Sequence, residues 1–329
     1  MTLSKQIHLK TRPQGNPVAG DFDIVEVNIE DPAAGQVLVK NIYMSVDPYM
    51  RGRMRFAKSN ELLIGGAVGK VVASNNPDFS EGDCVSNGSG WREYFLSDGS
   101  DLSKVDPSLA PLSAYLGVMG MPGLTAYGGL LVTGEMEDGE TVFVSAASGA
   151  VGSVVGQIAK IKGGIAIGSA GSDDKVQQLT QEFGFDHAFN YKTADPLAEL
   201  RRGAQDGIDI YFENVGGAQL EAALTHIKVN GRIPVCGMIA HYNDGDTLTA
   251  GPRNLTEMIY KFVQMKGFVV SAFEDMRGQF VTDMSGWISS GQMKYHETIH
   301  EGIDNAPGAF MGLFTGSNNG KMLVKLADD

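Results

Sequence analysis

Cysteine and long apolar runs are both scarce in this chain of 329 residues. Cys84 and Cys236 are the only cysteines, which excludes a disulfide framework and any zinc site built from four cysteines. We therefore expect a reduced, cytoplasmic setting. The most apolar region, near 141–170, is interrupted by Lys160, Lys162 and several glycines, so no membrane-spanning helix is predicted. The N-terminal segment lacks the apolar stretch of a secretory signal.

Positive charge is also in short supply. The chain has 26 Lys and Arg against 39 Asp and Glu, a formal net charge of −13. No run of five or more basic residues is present, whereas nucleic acids and anionic membranes both attract clustered Lys and Arg. Neither is expected as a main partner.

Glycine, by contrast, is abundant. The 43 glycines are roughly 13% of the chain against a usual ~7%, and they show no collagen-like period. Such an excess indicates many backbone positions with positive φ or with a close approach of two segments.

The order of predicted elements indicates an α/β protein with a second, β-rich module. Up to about residue 120, short alternating strands are separated by turn residues, which is typical of a compact β domain. Strands and helices then alternate, which predicts a doubly wound parallel sheet of the Rossmann type. After about residue 295 the strand-and-turn pattern returns, so we expect the tail to rejoin the first module. The predicted strands are 22–29, 35–46, 65–75, 91–97, 141–146, 165–170, 187–191, 208–217, 231–238 and 321–327, and the predicted helices are 150–162, 173–184 and 218–228.

The strongest motif is S-A-A-S-G-A-V-G-S-V-V-G at 145–156. It follows the first strand of the alternation and opens a helix, as a dinucleotide-binding turn does. Small residues let the backbone approach a diphosphate, and the helix N-terminus attracts the anion. Gly149, Ala150, Val151 and Gly152 are therefore predicted to bind the cofactor. The alternative is that the glycines serve only close contact between helix and sheet.

The end of the second strand favours NADPH over NADH. An NAD site usually has Asp or Glu at this tip to bind the ribose hydroxyls. Here the strand ends in S-A-G-S at 169–172, and Lys175 follows within one turn. A hydroxyl and a cation in place of a carboxylate suit a 2′-phosphate. Asp173 and Asp174 are explained by the preference for acids in the first turn of a helix.

The segment H-E-T-I-H at 296–300 matches a zinc-protease signature. That motif requires a helix, where residues i and i+4 share a face. The surrounding K-Y-H-E-T-I-H-E-G alternates and is followed by Gly302, which favours a strand. His296 and His300 would then lie roughly 13 Å apart. The other histidines show no ligand spacing, and we expect a metal-free enzyme.

Several motifs carry a family resemblance that covers essentially the whole chain. Besides the phosphate turn and Lys175, they lie at 44–54 (M-S-V-D-P-Y-M-R-G-R-M), 120–127, 189–192, 213–217 and 318–321. Together they resemble the zinc-independent medium-chain dehydrogenase/reductases, and within these the prostaglandin reductase, alkenal double-bond reductase and bacterial curcumin reductase group. The resemblance implies a GroES-like substrate domain at 1–121, rejoined by 297–329, and a Rossmann NADPH-binding domain at 122–296. The segment between Arg55 and Gly65 is shorter than in this group, which leaves the substrate size open.

The resemblance also implies roles for individual residues. Tyr260 would be catalytic, because a phenol remains protonated at neutral pH and can donate to the substrate carbonyl. Its alternative is a helix residue with a packing role. Tyr49 and Tyr242 would contact substrate, or simply pack, and for Arg51 and Arg53 a structural role is favoured over substrate orientation. Besides Gly149–Gly152, the implied cofactor residues are Thr125, Ser172, Lys175, Tyr191, Asn214, Cys236, Gly237, Tyr242, Phe268, Val270 and Asn318.

The leading hypothesis is an NADPH-dependent reductase of the C=C bond in α,β-unsaturated aldehydes and ketones, with a small unsaturated carbonyl compound as substrate. The alternatives are a zinc-free NADPH quinone reductase and a catalytically silent NADPH-binding sensor. The resemblance further implies a homodimer joined edge to edge through the Rossmann sheet, for which a strand at 269–272 (V-V-S-A) is the candidate.

Overall fold

The computed structural model of the protein describes residues 1–245 and 249–328. The chain divides into two compact units. The first unit comprises Met1–Gly117 and Glu297–Asp329, and the second comprises Val118–His296.

The elements follow one another in chain order. The strands are β1 (Thr2–Leu9), β2 (Phe22–Ile29), β3 (Val37–Ser45), β4 (Glu61–Leu62), β5 (Ala67–Ser74), β6 (Cys84–Asn87), β7 (Tyr94–Ser97), β8 (Ser103–Lys104), β9 (Thr141–Val144), β10 (Ile165–Ala170), β11 (His187–Asn190), β12 (Ile208–Phe212), β13 (Ile227–Val235), β14 (Gln264–Gly267), β15 (Glu297–Glu301) and β16 (Lys321–Lys325). The α-helices are α1 (Tyr49–Met54), α2 (Met121–Gly128), α3 (Gly152–Ile161), α4 (Asp173–Gln181), α5 (Pro196–Gly203), α6 (Gly217–His226), α7 (Glu257–Tyr260), α8 (Arg277–Ser289) and α9 (Ala306–Gly312). Short 3-10 helices cover Ala19–Asp21, Leu112–Leu116, Ile239–His241, Val270–Met276 and Ile303–Asn305, and a π-helical turn covers Gly129–Thr133.

The first unit is built on β-sheets that use both ends of the chain. One sheet has the order β2-β1-β4, and the other has the order β15-β16-β3-β5-β6-β8, with β7 also paired to β3. The core contains Trp91, whose ring stacks on Phe22 and meets Phe310 of α9 edge-on at centroid distances of 6.3 and 5.9 Å. The tail thus supplies both strands and core side chains, each large buried side chain contributing about 1.5–3 kcal/mol.

The second unit is a parallel sheet flanked by helices. Its order is β11-β10-β9-β12-β13-β14, and each neighbouring pair is parallel. Phe143 on β9, Ile167 on β10 and Tyr211 on β12 are completely buried, and the rings of Phe143 and Tyr211 stack 4.8 Å apart. The predicted fold class, a Rossmann sheet with a GroES-like β domain, is confirmed.

Local chemistry explains where helices of the second unit begin and end. Asp195 caps α5 by accepting from the Ala198 amide at 2.7 Å, and Pro196 occupies the first helical position, where it loses no hydrogen bond. Gly184, three residues after α4, has φ +73°, a conformation that glycine adopts without strain. The zinc-protease-like segment forms β15 from Glu297, so the predicted strand is confirmed there.

The prediction of a strand at 269–272 is wrong. Val269 is extended, but Val270 begins a 3-10 helix that continues to Met276. Phe273 in this helix is buried, and its ring lies against the α-carbon position of Gly128, so a tertiary contact overrides the β-branched pair. The edge strand is the more polar β14 (Gln264–Gly267), which pairs with β13.

Among the described residues, no helix combines the length and the hydropathy needed to cross a membrane. The same residues contain no group of three or more His, Cys, Asp or Glu side chains arranged to hold a metal ion.

Candidate active site

The predicted cofactor residues of the second unit mostly follow the carboxyl ends of the parallel strands. We call this side of the sheet the carboxyl edge; in parallel α/β sheets it is where ligands bind. The residues that follow strand ends here are Gly149–Gly152 after β9, Ser172 and Lys175 after β10, Tyr191 after β11, Asn214 after β12, Cys236, Gly237 and Tyr242 after β13, and Phe268 and Val270 after β14. The topology therefore brings side chains that are far apart in sequence to one edge.

The turn after β9 requires glycine at position 152. The amide of Gly149 donates to the Ala146 carbonyl at 2.9 Å, and Ala146 itself has φ +50°. A Cβ added to Gly152 would collide with that carbonyl oxygen and with the α-carbon of Ala147. Backbone atoms cannot move aside as a side chain can. Gly152 thus lets the N-terminus of α3 lie directly against the turn.

The turn after β10 places Lys175 near Lys192, while Asp173 of the same turn is hydrogen-bonded to another side chain. Asp173 accepts from the side-chain amide of Asn190 at 2.8 Å. Burial and the neighbouring Lys192 ammonium lower the pKa of Lys175. A Cβ on Gly171 would lie 3.2 Å from the Tyr191 hydroxyl and 3.4 Å from the terminal carbon of Lys192. The two ammonium groups repel each other, and a multiply charged anion bound beside both would offset that repulsion.

Asn214 is fixed at the carboxyl edge by Ser145. The Asn214 side-chain amide donates to the Ser145 carbonyl at 2.8 Å, and its backbone amide donates to the Ser145 hydroxyl at 2.9 Å. Nearby, burial raises the pKa of the Cys236 thiol to about 12, with Glu213 adding to the effect. Cys236 is therefore a neutral thiol at physiological pH.

Tyr242 lies over the turn after β13. A Cβ placed on Gly237 would be 2.8 Å from the Tyr242 hydroxyl oxygen. Burial, the largest influence, raises the pKa of the Tyr242 phenol, while a backbone hydrogen bond with Met238 lowers it. The hydroxyl therefore stays protonated at neutral pH.

Tyr260 lies at the opposite edge of the sheet. It ends α7 four residues before the start of β14, and its side chain is 78% exposed. The ammonium of the next residue, Lys261, donates to the carbonyls of Leu224 and Thr225 at the C-terminus of α6. Helix α6 starts at the carboxyl edge and has 10 residues, so this end is about 15 Å away. The structure does not bring Tyr260 together with the other predicted residues.

Two further residues have structural partners of their own. The Thr125 hydroxyl is buried and donates to the Met121 carbonyl at 2.7 Å within α2. Phe268 meets Phe212 edge-on and leans on Phe273, at centroid distances of 5.9 and 5.5 Å. Phe268 thus holds the segment after β14 against the sheet.

In the first unit, Tyr49 begins α1. Burial, with Asp47 adding to it, raises the pKa of Tyr49 to about 12, and the Arg53 guanidinium lies over its ring at 5.0 Å. Arg51 is buried and donates to the carbonyls of Pro13 and Gly15, which is a structural role. Asn318 precedes β16 in this same unit, and its side-chain amide donates to the Gly320 carbonyl at 2.9 Å.

Comparison with known proteins gives the family. The family model for the N-terminal domain of oxidoreductase matches residues 5–105, and the model for zinc-binding dehydrogenase matches residues 150–285. Prostaglandin reductase 1 of Bos taurus is 44% identical over 330 residues, covering 99% of this chain and 100% of that protein. The 2-alkenal reductase (NADP(+)-dependent) of Nicotiana tabacum is 43% identical and covers 98% of each chain. The chain belongs to the prostaglandin reductase and alkenal reductase group of the medium-chain dehydrogenase/reductases.

A solved member of the same group carries the cofactor. The crystal structure of CurA in complex with NADPH from Vibrio vulnificus is 41% identical to this medium-chain dehydrogenase/reductase, with a TM-score of 0.93, and covers 99% of this chain and 100% of that chain. The residues of the present protein fit NADPH. Gly152 lets the N-terminus of α3, where a diphosphate would bind, lie directly against the turn after β9, and Lys175 and Lys192 would supply positive charge for a 2′-phosphate.

Three residues of this reductase at the carboxyl edge were missed by the sequence reasoning as site residues: Ser145, Lys192 and Glu213. Lys192 stood in the F-N-Y-K segment, where a cation directly after a strand end was an available signal. Ser145 and Glu213 also stand in motifs singled out from the sequence, at 145–156 and 213–217, but the contacts they make between turns exist only in the folded sheet.

Proposed function

We propose that this protein is an NADPH-dependent reductase of the C=C bond in α,β-unsaturated aldehydes and ketones. The observation that carries the proposal is the match, over 98–99% of the chain, to proteins named prostaglandin reductase 1 and NADP-dependent 2-alkenal reductase. The lysine pair after β10 and β11 supports NADPH over NADH, because the 2′-phosphate would relieve the repulsion between Lys175 and Lys192.

The reaction adds one hydride and one proton across the double bond. When bound, NADPH would supply the hydride for the β-carbon and leave as NADP⁺, and a proton from water or a side chain would complete the α-carbon. The chain's own task is to donate a hydrogen bond to the carbonyl oxygen, where negative charge develops. It must also hold the reacting atoms within contact distance.

We propose Tyr242 as that donor, because its hydroxyl lies at the carboxyl edge and stays protonated at neutral pH. Tyr260 remains the alternative suggested by the sequence. Tyr242→Phe should lower kcat by about 10²-fold or more, the usual contribution of a positioned acid, while Tyr260→Phe should stay near the wild-type rate. The reverse pattern would restore Tyr260 to the catalytic role.

The remaining residue assignments stay proposals on the same footing. We propose that residues 1–121 with 297–329 form the substrate domain and residues 122–296 the NADPH domain. Tyr49, a phenol that burial keeps protonated, would contact the substrate. The cofactor residues are those predicted from the sequence, with Lys192 added.

Product analysis tests the reaction. Purified protein with NADPH is given a series of 2-alkenals, enones and quinones, and the products are identified by mass spectrometry. A saturated aldehyde or ketone supports C=C reduction, whereas a hydroquinone alone would identify a quinone reductase. Tight NADPH binding without consumption of any substrate would instead favour a sensor. Replacing NADPH by NADH should reduce kcat/KM strongly.

We propose further that the protein forms a homodimer through β14. This strand lies at the edge of its sheet, and exposed apolar side chains surround it: Ile259, Tyr260, Phe262 and Val269. An unpaired edge with adjacent apolar surface is suited to pairing with a second copy. Light scattering gives the oligomeric state.

A cytoplasmic location is proposed from the free thiols of both cysteines and is tested by cell fractionation.

A further inference from the structure

Glu213 is the first residue after β12, and it is completely buried. A single carboxyl oxygen, Oε1, accepts from the Tyr211 hydroxyl at 2.7 Å and from the backbone amides of Val215 and Gly216 at 2.6 and 2.8 Å. The Ser145 hydroxyl approaches the same oxygen at 3.3 Å. The carboxyl group thus shapes the turn that follows its own strand.

The backbone of Glu213 joins the same residue to another turn. Its carbonyl accepts from the amides of Cys236 and Gly237 at 2.9 and 3.1 Å, and its amide donates to the Pro234 carbonyl at 3.0 Å. Ser145, which belongs to the turn after β9, in turn accepts from Asn214. One residue therefore connects the turns after β9, β12 and β13.

The arrangement is costly for a purely structural residue. The second carboxyl oxygen, Oε2, is buried and has no hydrogen-bond partner among the residues that the structure describes. Burial raises the pKa of Glu213, which reflects the expense of placing a carboxyl group here. What the carboxyl group provides is a fixed conformation of Val215 and Gly216, because the backbone amides of both residues donate to its Oε1.

We infer that Glu213 is a positioning residue for hydride transfer, which holds Asn214 and the Gly216 turn in the geometry that orients the nicotinamide half of the cofactor. This inference rests on the proposed function. It adds a residue that affects the reaction through the neighbouring turns and does not contact the substrate.

The test compares Glu213→Ala with Glu213→Gln. Glu213→Ala removes the acceptor and should lower kcat by about 10–100-fold, because a displacement of the reacting groups by about 1 Å can lower the rate by 10²-fold. It should also increase the primary isotope effect measured with 4-deuterated NADPH, since hydride transfer becomes slower than the other steps. Glutamine keeps an oxygen acceptor, so Glu213→Gln should recover kcat to within about threefold of wild type.

Asp209 supplies a matched control at the other end of the same strand. Its carboxylate accepts from the Thr141 amide of β9 at 2.9 Å and from the Lys228 ammonium of β13 at 2.8 Å, so it also joins β12 to both neighbouring strands. Asp209→Ala should lower the melting temperature and leave kcat and the isotope effect unchanged, because no cofactor turn depends on it.

The outcomes separate the inference from the proposed function. Wild-type protein that reduces no unsaturated carbonyl compound overturns the proposed function alone, since NADPH affinity of the variants then still reports the turn geometry. Active wild type with a folded Glu213→Ala whose kcat and isotope effect match those of Asp209→Ala overturns the positioning role. Should Glu213→Ala not fold, Glu213→Asp takes its place, because the shorter side chain withdraws the acceptor from the Val215 and Gly216 amides, and an unchanged kcat and isotope effect there would equally overturn the role.

Discussion

The ion pair between Lys321 and Asp47 should be the most sensitive electrostatic contact of the first unit. The Lys321 ammonium donates to Asp47 at 2.8 Å and to the Val46 carbonyl at 2.9 Å, and the two charged side chains are only 4% and 9% exposed. Asp47 also accepts from the Ser45 hydroxyl. Replacing Lys321 by methionine preserves the length of the side chain and leaves the Asp47 carboxylate buried without its cation.

The expected loss follows from the geometry. At an effective dielectric constant of about 20, two charges 2.8 Å apart attract by roughly 6 kcal/mol, and desolvation of both groups offsets much of this. Breaking one side of such a pair costs about 3–5 kcal/mol, because an uncompensated charge remains buried. With a urea m-value of about 2 kcal/mol/M, the unfolding midpoint should fall by roughly 1.5–2.5 M.

The same strand offers a matched control. Lys325, also on β16, pairs with Asp328 at 2.9 Å, but the Asp328 side chain is 99% exposed. Lys325→Met should therefore cost only about 0–1 kcal/mol. Unfolding is followed by tryptophan fluorescence in a Trp287→Phe background, which leaves Trp91 of the first unit as the reporter.

The double variant isolates the charge effect. Adding Asp47→Asn to Lys321→Met removes the uncompensated carboxylate, so the double variant should be more stable than the sum of the single losses predicts, by about 1–3 kcal/mol. Equal midpoints for Lys321→Met and Lys325→Met would refute the reasoning, because burial would then have no influence on the pair.

Three further predictions concern the second unit. Gly152→Ala should weaken NADPH binding more than tenfold by calorimetry, because backbone atoms block the new methyl group. Gly278→Ala in α8, where the added methyl group meets open space, should bind NADPH normally. Equal affinities of the two variants would contradict this account of the turn. Lys175→Ala and Lys192→Ala should each raise KM for NADPH by about 10–150-fold, which corresponds to the loss of one charged hydrogen bond, and leave KM for NADH unchanged. A parallel rise of KM for both cofactors would show that the two lysines do not bind the 2′-phosphate. Phe262→Asp should convert a dimer to a monomer in light scattering with the far-UV circular dichroism preserved, and an unchanged mass would argue against β14 as the interface.

Much of the second unit could be predicted because its signals are local. Alternating strands and helices imply a parallel sheet, and small residues after the first strand imply a turn that approaches an anion. The end of α4 near Gly184 follows from glycine chemistry alone. These features depend on residues adjacent in sequence, so no knowledge of distant contacts is needed.

The remaining features depend on which segments meet in space. Val269 and Val270 have strand propensity, yet the buried ring of Phe273 imposes a 3-10 helix on the segment. Glu213 resembles any acid at a strand end until the turns around it are seen to share its carboxyl oxygen. Tyr242 and Tyr260 are equally plausible donors in sequence, and only the direction of the strands separates the two edges on which they lie.

The first unit is built from two segments that are far apart in the chain, and this has a consequence for its synthesis on the ribosome. At about 5–20 residues per second, the ribosome needs roughly 10–40 s to produce the second unit before β15 and β16 appear. During this interval β3 lacks its partner at Tyr43–Ser45, and Trp91 lacks Phe310. The part of the first unit that is synthesised early thus has an exposed strand edge, which has to be kept from other nascent chains until residues 297–329 have also been made.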